Sequence, residues 1–176
     1  MLQQIRTACL MLVAMTFLTG VVYPLATLAA AQVVFPHQAN GSLIVDNGKA
    51  VGSELIGQPF DDPRYFWGRP SATSPVPYHA ASSSGSNLAV SNPAQRAEIV
   101  QRATDLRAAA PENPSSIPAD LIMASASGLD PHISRAAADH QVARVARAKG
   151  LSRDAVQQRV HQHTETPWLG FLGEPR

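Results

Sequence analysis

Three short stretches carry residue types that could do chemistry. In "GLDPHIS", Gly128 to Ser134, a carboxylate (Asp130) and an imidazole (His132) stand two residues apart around Pro131. Such a pair could be half of a general acid–base couple or two ligands of a metal ion. Neither is complete, because a general base needs a partner and a pocket that one Asp and one His do not supply. The turn chemistry is more specific. Pro131 fixes a bend, Ser134 can cap a helix, and Asp130 can accept nearby backbone N–H groups. The stretch reads first as a structural turn, then as a partner-binding surface, and last as a catalytic site.

In "HQHTE", the alternation His161, His163, Glu165 would aim three zinc ligands one way on a strand. The residues before it read as helix, where positions two apart do not share a face, and no fourth ligand stands at a matching spacing. In "SSSGSNL", Ser82 to Leu88, the small residues resemble a phosphate loop only loosely. There is no G-x-x-x-x-G-K-[ST] and no lysine between Lys49 and Lys149. What remains is a backbone anion nest over Ser84, Gly85, Ser86 and Asn87. No nucleophile elbow, zincin motif or kinase signature is present.

The elements that must position these residues begin with an apolar run. From Thr7 to Pro36 no residue is charged, and about 20 such residues cross a bilayer as a helix. Nine Leu, Val or Phe between Ala8 and Ala30 favour insertion by roughly 3–5 kcal/mol. Gly20, Pro24 and the threonines reduce that, and Pro24 predicts a kink. The "LAAA" at Leu28 to Ala31 allows a cleaved signal peptide, but the run is longer than such a peptide needs, so a retained anchor is the reading taken. Arg6 precedes the span and the next charges are Asp46 and Lys49, which places the N-terminus in the cytoplasm. The expected organisation is a cytoplasmic tail (1–7), a transmembrane helix (8–32) and an extracytoplasmic domain (33–176). Thr16 and Gly20 form a small-xxx-small spacing that would admit a partner helix.

Fourteen Lys/Arg, one of them Arg6, balance thirteen Asp/Glu. This neutral surface offers no basic field for nucleic acid and no polybasic lipid-binding region, leaving lipid contact to the span. The only cysteine, Cys9, precludes an intramolecular disulfide. "SLIVDNGKAVGSELIG" reads as a hairpin with an Asn47-Gly48 turn. From Gln58 to Pro93 six prolines and the Tyr65-Phe66-Trp67 block predict an ordered, irregular loop. Asn92, Ser134 and Ser152 each cap a predicted helix, and Gly150 stops the second. "ADLIMASAS" is a short helix or strand. Val100, Ala103 and Leu106 are expected to face inward on the first helix, Val142 and Val145 on the second, and Leu151 to staple onto Val156. The fold class is α+β: one transmembrane helix, then a mixed domain with a small sheet and three to four helices.

"GSELIGQPFDDPRYFWGRPSAT", "SGSNLAVSNP", "PADLIMASASGLDPHIS", "QVARVARAKGL" and "HTETPWLGFLGEPR", in that order, resemble the C-subunit family of the bacterial Kdp potassium-transporting ATPase. "YFWGRPSA" with "SGLDPHIS" is the most specific part. Relatives continue past "GEPR" with an apolar segment, and "SSSGSNL" stands where a more glycine-rich pattern is usual. The resemblance implies an inner-membrane, single-pass accessory subunit with no catalysis of its own and no metal. Its implied partners are a channel-like potassium-selective subunit, a P-type ATP-hydrolysing subunit and a small stabilising peptide. It implies a role in assembly and a proposed rise in the catalytic subunit's ATP affinity. ATP and potassium belong to the complex; no cofactor is assigned to this chain. A direct nucleotide contact would fall on Ser84, Gly85, Ser86 and Asn87 and would require the opposite orientation. Partner contacts are expected at Thr16, Gly20, Phe66, Trp67 and Arg69, with core packing the competing role for Phe66 and Trp67. A secreted hydrolase using Asp130 and His132, or a free periplasmic binding protein, are the alternatives.

Overall fold

The uncharged run forms a continuous helix from Leu2 to Val34 in the computed structural model, which describes residues 1–167, 169–173 and 175–176. Its 33 residues extend roughly 50 Å, enough to cross a hydrocarbon core of about 30 Å. Among the described residues it is the one helix long and apolar enough to do so. The helix comprises α1 (Leu2–Phe17), a π turn (Leu18–Val22) and α2 (Tyr23–Val34). The π turn answers a local problem. Pro24 has no N–H to donate, and its ring would press on the carbonyl four residues back, Gly20. The widened turn just before it, in which the Tyr23 N–H reaches Leu18 O, lets the helix continue. Thr7, Thr19 and Thr27 donate their hydroxyls to Gln3 O, Met15 O and Tyr23 O, so these groups are satisfied within the segment.

The chain falls into two compact units, Met1–Glu54 and Leu55–Arg176. The first adds a short α3 (Pro36–Ala39) and a hairpin, β1 (Leu43–Asp46) and β2 (Lys49–Ser53), antiparallel with a bulge after Ile44. Asn47 (φ 48°) and Gly48 (φ 77°) make the left-handed two-residue turn that an Asn-Gly pair favours. Ser53 Oγ donates to Gly41 O at 2.7 Å, the Glu54 N–H donates to Ser42 O, and His37 lies 3.4 Å from Glu54.

The second unit holds α4 (Pro93–Ala109), a 3-10 turn (Ala119–Leu121), α5 (Arg135–Lys149) and α6 (Arg153–His163). The predicted caps are in place: Asn92, Ser134 and Ser152 accept from Ala94, Ala137 and Ala155. Gly150 (φ 65°) ends α5, with Leu151 N–H returning to Ala146 O. The core has two clusters. Val142, Val145, Ala146 and Val156 join α5 to α6 with Phe66 against them. Leu106, Leu121 and Ala137 join α4 to α5 with Trp67 against them. Two packing expectations are corrected. Val100 is 59% exposed and its neighbour Ile99 turns inward in its place, while Ala103 and Leu106 face inward as expected. Leu151 is 52% exposed beside a buried Val156, because the backbone closure at Gly150 already fixes that turn.

Candidate functional site

The turn before α5 is built from hydrogen bonds that begin at its carboxylate. Asp130 Oδ1 accepts the His132 N–H at 3.0 Å, closing a turn around Pro131, and its other oxygen receives Arg69 Nη1 at 2.9 Å. His132 Nδ1 lies 3.3 Å from the same carboxylate, and Asp120 accepts the Ser134 N–H at 2.7 Å. Burial pushes the Asp130 carboxyl up, but the His132 N–H and the Arg69 guanidinium outweigh it and hold it below its ordinary range. Gly128 (φ 68°) approaches Ser84 O and Thr73 so closely that a Cβ would lie 2.5 Å from that oxygen. On the other side Arg69 O accepts the Tyr78 hydroxyl, and Leu129 O accepts the Gly57 N–H at 2.9 Å. Asp130 and His132 are therefore brought together, with Arg69 as the partner that sequence reading did not assign. Arg69, Asp120, Asp130, His132 and Arg176 line a cavity of about 540 Å³.

Trp67 is held by two residues of α5 that went unremarked in the sequence. Its N–H donates to Gln141 Oε1 at 2.8 Å, and Gln141 Nε2 donates back to Trp67 O at 3.0 Å. Arg144 donates to Pro63 O and Tyr65 O and stacks 4.1 Å from the Trp67 ring. Gln141 and Arg144 are 1% and 2% exposed, in phase with Ala137 and Val145. That phase, polar residues on the one inward stripe of a helix, was the available signal.

The remaining candidates do not converge. Ser83 Oγ and Ser84 N–H both donate to Ser127 O, Ser84 Oγ donates to Gly85 O, and Ser86 Oγ lies against Gln95. Asn87 has positive φ, and a side chain at Gly85 would meet Ala126 O at 2.8 Å. The Ser84 and Ser86 hydroxyls lie against protein groups, and no Lys or Arg stands between Arg69 and Arg96 in the sequence. His161 approaches Arg135 and His163 its own helix's Arg159 O, while Glu165 pairs with Arg176. Among the described residues no three His, Cys, Asp or Glu are grouped to hold a metal ion. In the apolar helix, nothing lies within 4 Å of where a Gly20 side chain would begin, so the face shared with Thr16 is open.

The family model described as "KdpC: K+-transporting ATPase, c chain" matches residues 5–176. The chain belongs to the KdpC family. Similar curated proteins are named potassium-transporting ATPase KdpC subunit. The one from Sorangium cellulosum is 58% identical over 99% of this chain and 92% of its own length. That from Polaromonas naphthalenivorans is 59% identical over 98% and 88%, and that from Methylococcus capsulatus 56% over 100% and 93%. The blocks that carried the KdpC resemblance meet in space. "YFWGRP" reaches "GLDPHIS" through Arg69 and Asp130, and reaches "QVARVARAKG" through Trp67, Gln141 and Arg144.

Proposed function

We propose that this chain is a non-catalytic accessory subunit of an ATP-driven potassium uptake complex in a bacterial inner membrane. Its helix anchors it beside a channel-like potassium-selective subunit through the open Thr16 and Gly20 face. The domain after the span stands on the extracytoplasmic side and covers that subunit's mouth, stabilising assembly with the P-type subunit and a small peptide. An influence on ATP affinity then reaches the catalytic subunit by coupling across the membrane rather than by nucleotide contact. The observation that carries this reading is that the charged cluster at "GLDPHIS" is paired within the domain: Asp130 is engaged by Arg69 and by the His132 N–H. It supports a scaffold, with the carboxylate at 130 tying two distant blocks of the domain together.

Orientation is the part most open to direct test. In a Cys9→Ser background, Val90→Cys is placed at a residue 94% exposed and Gln3→Cys at the opposite side of the span. A membrane-impermeant maleimide added to intact spheroplasts should label Val90→Cys and reach Gln3→Cys only after permeabilisation. The reverse pattern would overturn the topology and restore direct nucleotide contact at Ser84 to Asn87.

A further inference from the structure

Between the first turn of α5 and the last turns of α6 lies an open groove of about 380 Å³. Its floor is apolar, formed mainly by Phe66, Ile133 and Val160. Among the described residues, every ionisable one lining it is basic: three arginines, Arg135, Arg159 and Arg176, and a histidine. Arg135 leans on Asp139 at 3.7 Å and Arg176 pairs with Glu165 at 3.2 Å, but neither acid lines the groove. Among the described residues Arg159 has no ion-pair partner. The N-terminal end of α5 opens at the same mouth and adds partial positive charge.

An apolar floor gains about 25 cal/mol for each Å² of apolar surface it removes from water, while a basic rim selects against cations and for carboxylates. The occupant that satisfies both is an apolar side chain flanked by Asp or Glu. An anionic lipid surface fits less well. Segments that bind it gather four to eight Lys/Arg beside the span, whereas no Lys or Arg stands between Arg6 and Lys49. We propose that this groove docks an acidic segment of another subunit of the complex, with its apolar side chain on Phe66 and Val160 and its carboxylates at Arg135 and Arg159. This rests on the accessory-subunit reading and names the chemistry of one contact within it.

The test uses the full chain co-expressed with its transporter partners, with Val160 replaced by photoreactive p-benzoylphenylalanine. Irradiation of the detergent-purified complex should join position 160 to another subunit, within a peptide rich in Asp or Glu. Adding Arg135→Glu and Arg159→Glu, both at exposed positions, should cut that product about fivefold, as should raising the salt. An unchanged unfolding midpoint in the charge-reversed chain separates lost docking from lost folding. A product with lipid, with a second copy, or none at all in a complex recovered at normal yield would overturn the groove proposal alone. The same holds for a product indifferent to charge reversal. Failure of the unsubstituted chain to recover any other subunit would overturn the accessory reading and this proposal with it.

Discussion

Replacing Arg144 with alanine is expected to destabilise the Leu55–Arg176 unit by about 3–5 kcal/mol, a fall in Tm of roughly 6–20 °C. The guanidinium is 2% exposed and donates to Pro63 O at 2.7 Å and Tyr65 O at 3.1 Å. It also donates to Gln141 and covers the Trp67 ring at 4.1 Å. Burial lowers its pKa to about 10, so it remains a cation at neutral pH. Alanine would leave two carbonyls without donors, free the Gln141 amide that pairs with Trp67, and open a cavity beneath the ring. Methionine should restore much of the volume but not the donors, and so recover only part of the loss. Circular dichroism of the purified full chain in detergent measures both. A loss below about 1 kcal/mol would show that the Pro63–Trp67 segment is held by something else.

Asp130→Asn is expected to cost about 1–2 kcal/mol at neutral pH, and the cost should vanish in acid. Asparagine keeps an oxygen for the His132 N–H and removes the charge that faces Arg69. Because the folded carboxyl lies below its ordinary range, the pair's contribution is full above the unfolded value of about 3.9. As pH falls through that value towards the folded one, the unfolded chain takes up the proton first and the stabilisation drains away. Denaturant titrations of both chains between pH 7 and pH 2 should therefore converge at low pH. A difference that stays constant with pH would mean the ion pair contributes nothing and the substitution acts through shape alone.

Local chemistry was legible wherever a residue acts on its own neighbours. The caps at Asn92, Ser134 and Ser152, the stop at Gly150, the Asn47-Gly48 turn and the apolar span were readable because each spans a few residues. The stretch from Gln58 to Pro93 is irregular and ordered, as its prolines and aromatic block indicate, but the partners that order it were not legible because they lie far along the chain. Trp67 pairs with Gln141 74 residues away, and Arg69 with Asp130 61 residues away. No periodicity encodes such pairs. The carboxylate at 130 was recognised as a turn former, but its second oxygen answers to an arginine in another block. Phe66 and Trp67 stand half-buried on opposite core clusters, so packing was a sound expectation for both. Val100 was misplaced by one position because α4 has few apolar residues to set its phase, and Ile99 next to it fits the pattern equally well.

The chain is proposed to work as one subunit of a membrane complex, with the chemistry carried by its partners. The most direct test of this is affinity purification of the tagged full chain in mild detergent from cells co-expressing a channel-like potassium subunit and a P-type ATPase subunit. Both should be recovered together, and potassium-stimulated ATP hydrolysis should be lost when this chain is omitted from the expression. Recovery of the chain free of both, with that hydrolysis intact in its absence, would contradict the account.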